Sequence, residues 1–273
     1  KEGMKELMHH QDAGLSALMN VSGIDYKNLK SYHFGFVIGP CLNAGGRLET
    51  AKRGLRLLLE ENPKEALKQA QELVDLNQER KSMTNLAVEQ GKQIAKEKKY
   101  EEDTVLVIYL PECHESIAGI VAGRLRECYY KPVFVITKGE VGAKGSGRSI
   151  PEYSMFEKMN ECADLFTKFG GHPMAAGFSL AIEDIEELRK RLNACSGLKQ
   201  KDLTEKIKID LAIPVSDIKE DLINELDVLE PFGKDNEKPV FAVKDITLQT
   251  ARVYGSKNNV LQLGFLGEHN RYI

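Results

Sequence analysis

The sequence predicts an α/β chain: short helices, one long connecting helix, an α/β lobe, then the start of a small β module. Three observations carry this. After Pro63 no proline intervenes before Lys99, and apolar residues recur there at helical spacing. Residues 104–137 read as strand, helix, strand. From Ile207 onward the pattern breaks into short alternating runs separated by turn residues. The 273 residues are enough for two modest domains rather than one small core.

In chain order, residues 1–61 read as short helices joined by glycine-containing loops, with a tight Gly-rich stretch, GPCLNAGGRLET, at 39–50. Asn62-Pro63 caps the next helix, proline standing where a missing N–H costs little. Ala66, Leu67, Ala70, Leu73, Val74, Met83, Leu86, Ala87 and Ile94 mark its apolar positions, and Gly91 is its expected weak point. Such a helix, ~55 Å long at ~1.5 Å per residue, suits a bridge between two lobes. Residues 104–110 and 132–137 are continuous apolar runs, as buried parallel strands should be, and 116–128 is the helix between them. Residues 155–166 and 183–194 are expected to be helical, with FGGHPMAAGFSL between them as a loop running into a strand. A polar joint at 196–202 leads to an alternating strand at 207–211, a short helix at 217–229, and a hairpin pairing 247–254 with 260–266 through a turn at 256–259.

Composition limits function. Hydrophobic residues are 42% and charged residues 29%, the balance of a soluble globular chain. No apolar run approaches the ~20 residues of a membrane helix, and KEGMKELMHHQ is no signal peptide. The net charge of −3 excludes a surface that attracts nucleic acid everywhere, so a nucleic-acid partner needs a local basic groove. Cys41, Cys113, Cys128, Cys162 and Cys195 are odd in number, widely spaced and without a CxxC pair, which points to buried thiols in a reducing cytoplasm. His9-His10 near Asp12 is not a chelate, because adjacent helical residues point about 100° apart. No Asp/His cluster suits a metal pair, and no Ser/His/Asp order suggests a nucleophile. Lys1 is not Met and Ile273 falls inside an apparent strand, so the chain is expected to be part of something longer.

Four motifs carry the binding chemistry. In KGSGRS, Gly145 and Gly147 permit close approach of backbone N–H groups to an anion, Arg148 offers a planar fork, and Ser146 and Ser149 add hydroxyls. The alternative is a glycine hairpin with an exposed arginine. In FGGHPMAAG, Gly170 and Gly171 precede His172, which can donate to a phosphate or a base; the alternative is an ordinary hydrogen-bonded loop histidine. In GPCLNAGGRL, Asn43 and Arg47 stand among small residues, and Arg47 either contacts phosphate or bonds loop carbonyls across two lobes. In PECHESIAGI, His114 stands at the carboxyl end of the first strand, where open α/β sheets bind ligands; the alternative is a helix-capping loop in which Glu115 and Ser116 cap locally.

Together and in this order the motifs resemble the RecJ exonucleases of the DHH phosphoesterase superfamily over nearly the whole chain. GPCLNAGGRLETA is similar to that family's GPRxNAxGRLxxA, ELVDLNQER to the start of its interlobe helix, and PECHESIAGIVAGRL to EWHxGVxGIxASRL. KGSGRS and KFGGHPMAAGFSL match almost letter for letter, and LEPFGKDNEKPVF resembles PFGxxNPEPVF at the start of an OB-fold. Cys41 replaces the usual Arg, Cys113 the usual Trp and Gly45 a common Ala.

The resemblance implies that 1–61 ends a catalytic DHH lobe, 62–99 connects, 100–197 is the DHH-associated lobe and 203–273 is part of an OB-fold barrel. It implies a single-strand-specific 5′-to-3′ exonuclease of DNA repair and recombination. Two Mn²⁺ or Mg²⁺ ions, held by residues N-terminal to Lys1, would activate water for in-line attack. Arg148, Ser146 and Ser149 with Gly147 would hold backbone or 5′-terminal phosphate, with His172, Gly170 and Gly171 nearby, His114 on the adjoining helix, and Asn43 and Arg47 lining the cleft. The OB module would track single strand by electrostatics and stacking. No catalytic residue, metal ligand or bound ion is then expected within these residues, and the chain alone is expected to be inactive. Single-stranded DNA is the expected partner; a repair helicase and a single-strand binding protein follow from the family only. The rival readings are another DHH-type phosphodiesterase acting on short oligonucleotides or cyclic dinucleotides, a single-strand-binding module without catalysis, and a protein-interaction lobe.

Overall fold

A computed structural model describes residues 2–9, 12–255 and 258–265. The chain divides into two compact units, 7–205 and 206–265 with 2–6. The first helix, α1, is Glu2–His9.

Residues 7–205 begin as a helical layer. Helix α2 (Ala13–Val21) is capped by Asp12, whose side chain accepts from Leu15 N–H. Helix α3 (Ser31–His33) runs through a π-turn (Phe34–Ile38) into α4 (Gly39–Leu48) and is followed by α5 (Lys52–Leu58). The expected glycine-rich loop at 39–50 is therefore mostly helix. Its glycines let helices touch: a Cβ on Gly45 would stand 2.9 Å from Thr50 O, and one on Gly54 2.9 Å from Leu42 O.

Helix α6 (Pro63–Glu97) starts at Asn62, whose side chain accepts from Lys64 and Glu65 N–H, and runs 35 residues without a break. Its first half buries Ala66, Ala70 and Leu73 in the helical core with Leu18, Leu57 and Cys41. Its second half buries Ala87, Val88 and Ala95 against the sheet with Leu106, Ile108 and Leu125. One helix thus completes two cores. Gly91 is a packing position rather than a break, since a Cβ there would stand 2.9 Å from Leu125 Cδ1.

The α/β lobe carries a five-stranded sheet, in the spatial order 106–109, 133–138, 143–148, 175–180 and 166–172. Strands β1 (Leu106–Tyr109) and β2 (Val133–Lys138) pair in parallel around α7 (Glu115–Tyr129). Strands β3 (Ala143–Arg148), β5 (Ala175–Leu180) and β4 (Phe166–His172) are antiparallel neighbours. Residues 144–148 of KGSGRS lie in β3, which pairs with β2 as the glycine hairpin that its alternative reading allowed. FGGHPMAAGFSL, expected as a loop running into a strand, has that strand as β5, with a second strand, β4, in place of the loop. The helix expected at 155–166 ends at Asn160 (α8, Met155–Asn160), before a short 3-10 turn at Ala163–Leu165. Helix α9 (Ile185–Ala194) closes the lobe.

The sheet's two faces are covered unequally, and side-chain alternation sets this. Val107, Phe134, Ile136, Phe178 and Leu180 bury one face with Met155, Met159, Leu188 and Leu192. On the other face Leu106, Ile108, Val133 and Val135 meet α6 and α7. Past β2 this second face turns polar and small, with Lys144, Ser146 and Arg148 on β3, Gly177 and Ser179 on β5, and Lys168, Gly170 and His172 on β4. A Cβ on Gly170 or Gly177 would meet nothing within 4 Å.

In the second unit, β6 (Leu211–Ala212) pairs in parallel with β7 (Phe241–Ala242), and β8 (Leu248–Tyr254) forms an antiparallel hairpin with β9 (Val260–Phe265). Helix α10 (Glu220–Leu226) lies between β6 and β7 in sequence. The strand expected at 207–211 is only two residues long and parallel: Ile207 and Ile209 are exposed and outside any ladder. Ser256 and Lys257, in the expected hairpin turn, and Leu266 lie outside the described residues. Among the described residues the strands do not close into a barrel.

Candidate nucleic-acid interface

The polar sheet face is the floor of the candidate site. Cross-strand register sets three rows on it: Lys144–Ser179–Lys168, Ser146–Gly177–Gly170 and Arg148–Ala175–His172. Glycine in the middle row keeps the floor flat and open. Arg148 and His172 end the same row, two strand spacings or about 10 Å apart.

Helix α7 forms the wall. Its N-cap is His114, whose Nδ1 accepts from Ser116 N–H at 3.3 Å and lies 2.7 Å from Ser116 Oγ. Arg148 lies along this helix: a Cβ on Gly119 would stand 2.9 Å from its Nη2, and one on Gly123 4.0 Å from its Cγ. Its Nη1 donates to Gly147 O at 2.8 Å. Two glycines one helical turn apart thus make the slot for the guanidinium. Between α7 and the floor lies a cavity of about 500 Å³, lined by Glu115, Ser116, Lys144, Ser146, Lys168 and Ser179 among others.

Two further arginines reach the same region from the helical layer. Arg47 Nη1 donates to Ser116 O at 2.8 Å, the carbonyl bond across two lobes that its motif allowed. Asn43, one turn earlier on α4, is exposed. Arg80 on α6 donates through Nε and Nη2 to Asn77 Oδ1 at 3.2 and 2.9 Å, and buried Asn77 donates to Cys41 Sγ at 3.3 Å. Burial makes both Arg80 and Arg148 easier to deprotonate, and the charge of Arg47 adds to this in each. No ion pair joins Arg47, Arg80 or Arg148 to a carboxylate among the described residues. Cations gathered without counter-ions are arranged for an anion.

The candidate residues divide by direction. Arg148, Ser146, His172 and Gly170 share the open face, and Arg47 and His114 adjoin it. Ser149, Gly147 and Gly171 do not. Ser149 is buried and donates to Tyr153 O at 2.6 Å, so its hydroxyl serves the core. Gly147 faces the core, where a Cβ would stand 2.2 Å from Met155 Sδ, and a Cβ on Gly171 would stand 2.4 Å from Ala175 O. Gly145 behaves likewise, its absent Cβ leaving room for the Phe178 ring. These glycines make space for packing rather than for an anion. Sequence reasoning missed Arg80, Lys168 and Ser179. Arg80 was within reach, as the end of the ELVDLNQER stretch; the other two needed the strand register.

Burial raises the Cys41 thiol and pushes Cys113 up to about 11, so both are neutral packing groups beside the site. Among the described residues no three His, Cys, Asp or Glu side chains lie together so as to hold a metal ion.

Residues 102–197 match the DHHA1 domain family and residues 209–273 the RecJ OB domain family. The single-stranded-DNA-specific exonuclease RecJ of Bacillus subtilis is 34% identical over 273 residues, covering 98% of this chain and 35% of that protein. Thermus thermophilus RecJ is 31% identical, covering 88% of this chain and 34% of that protein. The crystal structure of Thermus thermophilus RecJ with Mn²⁺ superposes with a TM-score of 0.84 at 28% identity, covering 98% of this chain and 39% of that one. The chain spans about a third of the length of the curated relatives it matches.

Proposed function

The chain belongs to the RecJ family, and on that premise we propose that it is the strand-holding part of an exonuclease that degrades single-stranded DNA from 5′ to 3′ in repair and recombination. The observation that carries this is a set of arginines, Arg47, Arg80 and Arg148, with no carboxylate partner among the described residues, beside an open glycine floor. A phosphodiester supplies the missing charge. Arg148 offers it two parallel N–H bonds, Ser146 adds a hydroxyl from the same strand, and His172 stands at the far end of the row. Gly170 and Gly177 let the sugar-phosphate chain lie on the sheet without a Cβ in its way. The contacts fall on phosphate, so binding is indifferent to base sequence. Arg47 and Arg80 extend the cationic track toward the helical layer, residues 1–61, with 62–99 connecting, 100–197 carrying the floor, and 203–273 a partial OB-fold that follows the incoming strand.

Thermus RecJ holds Mn²⁺ or Mg²⁺. The described residues here form no site for such an ion, so the steps assigned to this chain are to bind and orient the strand. Its thiols form no disulfide among the described residues, and no helix there is long and apolar enough to cross a membrane; we place the protein in the cytoplasm. A repair helicase and a single-strand binding protein are its proposed partners.

The test is Arg148→Ala against labelled single-stranded oligonucleotides of different sequence. Binding should weaken alike for all of them, and the slope of log affinity against log salt should shrink by ~0.7. The chain alone with Mn²⁺ should release no nucleotides. Unchanged affinity and slope in the variant, or no single-strand binding by the parent chain, would overturn the reading.

A further inference from the structure

At the rim of the cavity a carboxylate already occupies a place suited to a phosphate. Glu115, in the first turn of α7, puts Oε2 2.6 Å from Lys144 Nζ, and the two side chains are 51% and 46% exposed. Lys144 begins the floor row that continues through Ser179 to Lys168, and all of these line the cavity. An anion on an ammonium, beside the positive end of a helix, is what a phosphate would make there too. The pair is weak enough to exchange, because water screens two side chains this exposed and competes for both of them. Among the described residues Glu115 is the carboxylate at ion-pair distance from Lys144, and Glu140, in the turn before β3, adds only an attraction from farther away. The bond to Glu115 raises its pKa, so the lysine stays charged while it is masked.

We propose that Glu115 is a built-in competitor of the strand for Lys144: a phosphate displaces the carboxylate on arrival, and the carboxylate returns as the phosphate leaves. This rests on the reading that the face holds single-stranded DNA. The consequence is a subsite that binds phosphate loosely, as a strand that must advance one nucleotide at a time requires. Arg148, with no carboxylate partner among the described residues, is the tight contact, and Lys144 is the yielding one.

The test measures single-strand affinity across a salt series for the parent chain, E115Q, K144Q, the E115Q/K144Q double variant, E112Q and R148A, with thermal melting as the folding control. Glu112 is an exposed carboxylate in the turn just before α7 and reports the effect of removing nearby negative charge alone. E115Q should bind roughly two- to five-fold tighter, with a salt slope steeper by up to ~0.7. That gain should vanish in the double variant compared with K144Q, and E112Q should change little. The proposal is overturned if E115Q binds no tighter than the parent, if its gain survives loss of Lys144, or if E112Q gains as much. R148A separates the two levels: if it keeps full affinity and slope, the strand-binding reading itself falls, and the competitor falls with it.

Discussion

A methyl group placed on Gly119 would stand 2.9 Å from Arg148 Nη2, 3.4 Å from Cζ and 3.5 Å from Nη1. Ordinary contact starts near ~3.5 Å, so the guanidinium must withdraw by roughly half an ångström. It can, because the atoms in the way are the tip of a flexible side chain and not backbone. Gly119→Ala therefore acts in opposite directions on stability and binding. The helix gains about 0.8–1 kcal/mol, the propensity difference between alanine and glycine. That corresponds to a melting temperature higher by about 2–4 °C for a unit of this size. The displaced fork meanwhile loses one of two charge-assisted bonds to phosphate, about 1.5 kcal/mol or roughly ten-fold in affinity. The cation is still present, so the salt slope should change less than the ~0.7 expected for Arg148→Ala. Fluorescence anisotropy with a labelled oligonucleotide over a salt series, paired with calorimetric melting, reads both effects. Parent-like affinity would show that no ligand depends on where the guanidinium sits. A clear loss of stability would make Gly119 a helix-packing residue and nothing more.

Asn77→Ala removes the acceptor of Arg80 and the donor to Cys41 Sγ at a buried position; a loss of about 1–3 kcal/mol in urea unfolding, with weaker strand binding, is expected. Asp103→Asn breaks the paired bonds, 2.7 and 2.9 Å, that tie Arg189 of α9 to the segment before β1. It should cost about 1–3 kcal/mol in the same assay with the salt slope of binding unchanged. Burial lifts Cys113 and Cys162 from 9.0 to about 11. The contribution of these two thiols to stability should be constant below pH ~9 and then be lost, because between 9.0 and about 11 the unfolded chain releases protons that the folded chain keeps. Urea midpoints at successive pH values check this, and Cys113→Ala should flatten the decline.

The order of elements and the family are legible in the amino-acid sequence alone. Asn62-Pro63 and the unbroken helical spacing after it specify α6, and continuous apolar runs specify β1 and β2, because a strand buried on both faces needs no alternation. The ordered motifs also marked Arg148, Ser146, His172, Gly170 and Arg47 by residue type alone. Which way each side chain points was decided only by tertiary structure. The glycines of KGSGRS suggest close approach of the backbone to an anion, yet the segment is an inner strand, and a strand sends alternate residues to opposite faces. That alternation puts Lys144, Ser146 and Arg148 on the open face and turns Gly145 and Gly147 into the core, where Phe178 and Met155 fill the space a Cβ would take. Gly91 likewise looked like a break in α6, because its neighbour Leu125 is remote in sequence. Lys168 and Ser179 join the floor through strand register, and Arg47 comes near both Arg80 and Arg148 through the packing of α4, α6 and α7. Each of these depends on contacts between distant segments, which local propensity does not encode.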